Sequence, residues 1–283
     1  MKKQKRSLTM KAAIYMGKEN VEIRELPKPV CGEDDVLIQN IYSSICGTDV
    51  AVYKHGPNTG HRITVGGEFG HETVSRVAAV GKNVTGFTVG ERVYPYPLLA
   101  KNDTKRAGTI GLAAAVALQY FGVRNVMVCD LSDYRLKIAK ELGFTVCNTQ
   151  KENLKEKAEA YFGTAHGLSG TTMNVDIFLD AAGDESILET FMDQGKIVSR
   201  FVSVAVNNKL RSLDLLHLTY AQKSIIGSGG YFPEDVRDVM KIMESGRWDL
   251  EKMITHEFPL DEINQAIQTA SDTEHAFNVI IHF

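Results

Sequence analysis

Two short runs, Cys46-Gly47-Thr48-Asp49 and Gly70-His71-Glu72, bring a thiol, an imidazole and three further polar groups into one glycine-punctuated stretch of the chain. Catalytic zinc takes three protein ligands from thiolate, imidazole and carboxylate donors and keeps a fourth position open. Cys46 and His71 suit two of those positions, so the pair amounts to half of a zinc site. Taken singly, each has a plainer reading, as a small core cysteine and a hydrogen-bonding loop histidine. Their order and company favour the metal. His55 and His61, which lie between them, read as solvated loop residues.

A second set lies downstream. Gly108-Thr109-Ile110-Gly111 precedes an alanine-rich run, and Asp130 closes the apolar run Val126-Met127-Val128-Cys129. A dinucleotide turn wants a strand, G-x-G-x-x-G and a helix whose amino end faces the pyrophosphate, with an acid about 20 residues on for the ribose hydroxyls. Gly108 and Gly111 supply the second and third glycines, and Asp130 falls where the acid belongs. A carboxylate there accepts from a 2′-hydroxyl and repels a 2′-phosphate, so NAD is favoured over NADP. A glycine turn with no ligand is the plainer alternative, and the downstream acid argues against it.

The elements that must position these residues follow two grammars. From Met10 to Val93, short runs at Ala12–Tyr15, Val21–Ile23, Val36–Ile41, Val74–Val80 and Arg92–Tyr94 read as strands, punctuated by prolines and glycines. That spacing predicts a partly closed antiparallel barrel. From Gly111 onward, strands at Val126–Cys129, Thr145–Cys147, Val175–Leu179 and Ile197–Val202 alternate with helices at Leu112–Phe121, Arg135–Leu142 and Leu154–Tyr161. Such alternation predicts βαβ units and a parallel sheet. A helix at Pro233–Met243, another from Asp261 and a strand at Phe277–Ile281 end the chain. The expected α/β layout is a barrel-like domain over 10–106 joined by 229–283, with a dinucleotide domain over 107–228.

Length and composition limit the classes. A chain of 283 residues can build two cores. With 43% hydrophobic and 24% charged residues and a net charge of -3, it shows no bias toward nucleic acid or an anionic membrane. The apolar residues after the basic start are interrupted by Thr9 and Lys11, short of the unbroken run of about 7–15 residues in a secretory signal. Residues 1–9 therefore read as a frayed extension of a cytoplasmic chain. No run reaches the roughly 18 apolar residues of a membrane span. Cys31, Cys46, Cys129 and Cys147 form no C-x-x-C pair, which closes the option of a four-thiolate structural zinc, and disulfides are not expected in a reducing compartment.

In order, Cys-Gly-Thr-Asp, Gly-His-Glu, Val89-Gly90-Glu91-Arg92-Val93, Gly108-Thr109-Ile110-Gly111-Leu112 and Asp130-Leu131-Ser132 followed by Arg135-Leu136 resemble a zinc-dependent medium-chain alcohol dehydrogenase of the polyol and threonine dehydrogenase branch. The likeness runs from Met10 to Phe283. It implies a GroES-like β domain, a Rossmann-type domain and hydride transfer between a small alcohol or polyol and NAD. By resemblance, Glu72 lies beside the metal as an alternative or exchanging ligand, Thr48 relays the substrate proton, and Asp49 orients an imidazole ligand. Arg135 resembles a helix residue near the adenine. A relay histidine found in many relatives is replaced here by Ala51. The family also assembles as dimers or tetramers through sheet edges, for which Ile197–Val206 is the expected edge, against the simpler reading of a core run.

The chain departs from that pattern in one region. Arg106 stands where the first glycine belongs, and Lys101-Asn102-Asp103-Thr104-Lys105 replaces the apolar first strand of the parallel sheet. Three charges cannot occupy a strand buried on both faces without a cost of several kcal/mol each. The block that carries the third zinc ligand and much of the substrate pocket in relatives is missing, so the chain reads as internally shortened near Ala107-Gly108. Three readings stay open: a working zinc and NAD dehydrogenase with Glu72 or water completing the metal shell, a non-catalytic remnant or binding protein, and a zinc-free reductase that would leave Cys46, His71 and Glu72 without purpose.

Overall fold

The computed structural model describes residues 8–59, 62–95, 108–205 and 210–283. They gather in two compact units: residues up to 95 with Thr255–Asp272 and Asn278–Phe283, and residues 108–254 with Thr273–Phe277. The expected return to the first unit at 229 gives way to one at Thr255, because the helix that follows 229 buries Ile242 in the core of the second unit.

The first unit opens with an antiparallel hairpin of β1 (Thr9–Gly17) and β2 (Asn20–Pro27), which buries Ala13, Ile14, Tyr15 and Val21. Next come β3 (Val36–Ser44), a helix α1 (Gly47–His55), β4 (Glu72–Val80) and the short β5 (Arg92–Val93). The strands β3 and β4 pair antiparallel from Val36↔Val80 to Ser44↔Glu72, with two irregularities in register. At the far end from Ser44, the Gly81 amide donates to the Asp35 carbonyl at 2.8 Å. A Cβ on Gly81 would stand 2.4 Å from the carbonyl oxygens of both Gly32 and Glu33, so only glycine lets these backbones approach.

The second unit alternates helices and strands. It runs through α2 (Gly108–Tyr120), β6 (Met127–Asp130), α3 (Asp133–Glu141), β7 (Thr145–Asn148) and α4 (Leu154–Phe162). A hairpin of β8 (Thr164–Gly167) and β9 (Gly170–Met173) follows, then β10 (Ile177–Asp180), α5 (Glu185–Gln194), β11 (Arg200–Ser203), α6 (Leu215–Tyr220), β12 (Ser224–Gly227) and α7 (Pro233–Glu244). Side chains of Ser132, Asn153, Asp184 and Asp214 cap α3, α4, α5 and α6 by accepting from first-turn amides, which fixes where each helix starts. Leu112, Val116, Val126, Ile138, Phe144 and Trp248 share one core, and Phe191, Met192 and Phe201 form a second.

The parallel strands fall into two groups, β6-β7 and β10-β11-β12. Among the described residues no strand joins β6 to β10. A cavity of about 500 Å³ lies there, lined by residues of β6 and β10 and by others on α2 and α4. Strands of a parallel sheet are normally covered on both faces, yet Cys129 is exposed and Ile177 is 41% exposed. The polar run 101–105 and Arg106, whose charges argued against a buried strand, lie outside the described residues. Ile197–Val206 is not an edge: β11, the strand it contains, has a neighbour on each side. The open edge of that group belongs to β12.

The chain then returns to the first unit as β13 (Ile254–Pro259), α8 (Ile263–Ala270) and β14 (Asn278–His282). They complete a five-stranded sheet in the order β13-β14-β3-β4-β5. The barrel-like expectation is thus realised as an open sheet with the β1-β2 hairpin as a separate pair. Helix α8 buries Ile263, Ala266 and Ile267, and its Asn264 clamps the Val21 backbone with two hydrogen bonds, of 3.1 and 2.7 Å. No helix among the described residues is long and apolar enough to cross a membrane. Gly81→Ala is expected to lower unfolding stability by about 1–3 kcal/mol, read by urea denaturation, because both carbonyls it meets belong to backbone.

Candidate metal and cofactor sites

Strand register explains how two runs far apart in sequence meet. Ser44, the last residue of β3, pairs with Glu72, the first of β4, so the residues just beyond, Cys46 and His71, emerge side by side. Cys46 is the N-cap of α1 in extended conformation, and Gly70 adopts φ +98, which turns the chain sharply into His71. Asp49, 1% exposed, then joins the two runs. Its Oδ2 accepts from the Cys46 amide at 2.9 Å, and its Oδ1 lies 3.2 Å from His71 Nδ1. The other ring nitrogen, Nε2, lies 3.3 Å from the Thr48 hydroxyl, itself buried.

Cys46, His71 and Glu72 each offer one ligand atom, and these atoms all lie within 4.8 Å of one another. Tetrahedral zinc, with bonds of about 2.0–2.3 Å, separates its ligand atoms by about 3.5 Å, so a modest inward adjustment would let all three reach one ion. One thiolate, one imidazole and one carboxylate suit catalytic zinc. A carboxylate behind the imidazole is what orients such a ligand. Glu72, expected by resemblance as an alternative or exchanging ligand, supplies the carboxylate of this group.

The electrostatics are those of a site crowded with anions. Hydrogen bonding to Asp49, and then to Cys46, pushes the His71 pKa up to about 11 against the opposing effect of burial. Burial pushes the Cys46 thiol up, opposed by its hydrogen bond with His71, and burial likewise raises Glu72 against the pull of the His71 charge. In the metal-free protein an imidazolium thus supplies the positive charge that these groups share. A dication would take over that role and expel the proton.

In the second unit, Gly108, Thr109, Ile110 and Gly111 form the first turn of α2 rather than a turn ahead of it. Asp130 ends β6, where its Oδ1 accepts from the amides of Leu131 and Ser132 at 2.7 and 2.9 Å. Arg135 is buried on α3. Its guanidinium donates to the Ala276 carbonyl at 3.3–3.4 Å and lies 5.8 Å from the Phe277 ring centre, so it fastens the segment 273–277 to the unit. One feature escaped the sequence reading. At the end of β10, Asp180 Oδ1 accepts from Ala182 and Gly183 at 2.9 and 2.7 Å, forming a tight turn at the carboxyl end of a parallel strand, where open α/β sheets bind ligands. The run Asp180-Ala181-Ala182-Gly183 after an apolar stretch was the available signal.

Comparison with known proteins agrees with this architecture. A model of the alcohol dehydrogenase GroES-like domain matches residues 32–133, and one of the zinc-binding dehydrogenase domain matches 109–245. L-threonine 3-dehydrogenase of Escherichia fergusonii is 23% identical over 321 aligned positions, covering 87% of this chain and 92% of that protein. The Shigella sonnei enzyme of the same name is 24% identical with the same coverage. An alignment of 321 positions exceeds the 283 residues of the chain, so it bridges positions for which this chain has no residue. Among solved structures, 2R,3R-butanediol dehydrogenase from Bacillus subtilis superposes with a TM-score of 0.80 at 18% identity, covering 96% of this chain and 99% of that one. An Escherichia coli alcohol dehydrogenase complexed with NADH gives 0.79 at 22% identity, covering 98% and 100%. Together the two domain matches make the chain a medium-chain zinc alcohol dehydrogenase-like protein.

Two outcomes follow for the metal centre. Zinc affinity, read by chelator competition, should rise with pH through the neutral range, because protons compete for Cys46 and for His71 until the pH nears about 11. Asp49→Asn removes the charge behind the imidazole and should weaken zinc binding by about 10–100-fold with the fold retained.

Proposed function

We propose that this chain is a zinc-dependent oxidoreductase that moves hydride between a small secondary alcohol or polyol and NAD. The observation that carries the reading is the convergence of Cys46, His71 and Glu72, with the Thr48 hydroxyl against the imidazole. Zinc held by those three would act as a Lewis acid, lowering the pKa of an alcohol hydroxyl toward neutrality. Thr48 accepts the alcohol proton and passes it on. Asp49 keeps the His71 ring turned so that Nε2 rather than Nδ1 serves as ligand, and holds the Cys46 backbone in place. Glu72 is the ligand that can exchange with water, being a carboxylate at a strand end rather than a residue locked by a cap.

On the cofactor side, Asp130 and the first turn of α2 are the residues that would meet the ribose and the pyrophosphate, and the carboxylate favours NAD over NADP. The first unit, with its returning segments Thr255–Asp272 and Asn278–Phe283, would then be catalytic, and the second unit nucleotide-binding. Relatives named for threonine and butanediol support a small hydroxylated substrate. A homo-oligomer would use the outer edge of β12, whose Ile225 and Ile226 are exposed. A cytoplasmic location suits four free cysteines.

A second reading, a non-catalytic binding protein of the same family, has its own support: among the described residues the parallel strands fall into two separate groups, and relatives carry residues that this chain lacks. Metal analysis, heating with and without NAD, and NADH production from a panel of secondary alcohols separate the two. The first reading expects about one zinc per chain and turnover. It also expects a stabilisation by NAD of about 2.7 kcal/mol at a hundredfold excess over Kd. A folded protein with no zinc, no shift and no turnover would leave only the second. Thr48→Val should lower kcat by about 10²–10⁴-fold with zinc content unchanged.

A further inference from the structure

Cys129 and Cys147 are directly opposite one another in the parallel pair β6-β7. Paired residues of neighbouring strands have backbones about 4.8 Å apart, inside the range of about 4.4–6.8 Å that a disulfide spans between Cα atoms. Side chains in register on adjacent strands project from the same face of the sheet. Cys147 is fully buried, whereas Cys129 is exposed and lines the cavity beside β6, so a small solute can reach one sulfur of the pair and not the other. Neither residue has a part in the zinc cluster.

We propose that Cys129 and Cys147 form a redox-active dithiol that hydrogen peroxide converts to a disulfide. Peroxide entering the cavity meets the Cys129 sulfur, which passes its proton to Cys147 and attacks the O–O bond, forming a sulfenic acid; the hydroxide released takes a proton and leaves as water. The Cys147 sulfur then displaces the sulfenic oxygen, which leaves as a second water. Each sulfur gives up one electron and its proton, and the peroxide takes up two electrons and two protons. The electrostatics favour the reaction. The hydrogen bond between them brings the Cys147 thiol down to about 7 and raises Cys129, so the pair carries a thiolate near neutral pH with the other proton lying between the two sulfurs. Lys157 favours the thiolate at both positions, against Asp130 beside Cys129 and Glu152 beside Cys147. A strained cross-strand disulfide is the reducible kind, which suits a transient bond in a reducing compartment. It would tie β6 to β7 one residue before Asp130.

The test uses the intact chain, reduced, freed of reductant and exposed to a modest excess of hydrogen peroxide. The protein is alkylated with N-ethylmaleimide in denaturant and digested with trypsin without reduction. The expected product joins the peptides 125–135 and 141–151, is two hydrogens lighter than their sum, and is lost on treatment with dithiothreitol, while Cys31 stays alkylated. Cys129→Ser should abolish it and leave Cys147 alkylated. Recovery of both thiols alkylated after oxidant would overturn the proposal. So would a sulfinic acid on Cys129 beside an alkylated Cys147, or a link from Cys129 to Cys31 or Cys46.

Discussion

A single buried carboxylate organises the candidate centre. Asp49 accepts from the backbone of Cys46 with one oxygen and holds the His71 ring with the other, so the residue that starts α1 and the residue that precedes β4 are fixed to the same point. Removing a carboxylate from water is costly unless it is paired and hydrogen-bonded, and both conditions are met here. The helix cap and the ligand orientation are therefore one interaction. Disturbing Asp49 disturbs the helix start, the imidazole and the thiol together.

The second unit is arranged differently, its parallel strands falling into two groups with separate cores, around Leu112 and Ile138 on one side and around Phe191 and Phe201 on the other; among the described residues no strand lies between β6 and β10. The cost is exposed apolar and thiol surface along the cavity, where Cys129 and Ile177 meet solvent.

Much of the architecture was legible in residue order. Strong β-branched runs located β3, β4, β6 and β14 to within about three residues, and the alternation of strand and helix placed α3 and α4. What escaped was short or weakly patterned. Helix α1 carries almost no apolar periodicity because its buried face includes Thr48 and Asp49. The β8-β9 hairpin, α6 and β12 are too brief for their periods to stand out, and the placement of α7 depended on a partner face that only packing reveals.

The sequence by itself determined the donor types, thiol, imidazole and carboxylate, and their order along a chain with two structural grammars, because residue identity and local periodicity are properties of the sequence alone. Tertiary structure decided which donors share a point in space. The Ser44↔Glu72 register brings Glu72 beside Cys46 and His71, and the register of β6 with β7 sets Cys129 against Cys147. The physical reason is that strand register is fixed by pairing between distant segments, and a slip of one residue would have turned each of these side chains to the other face.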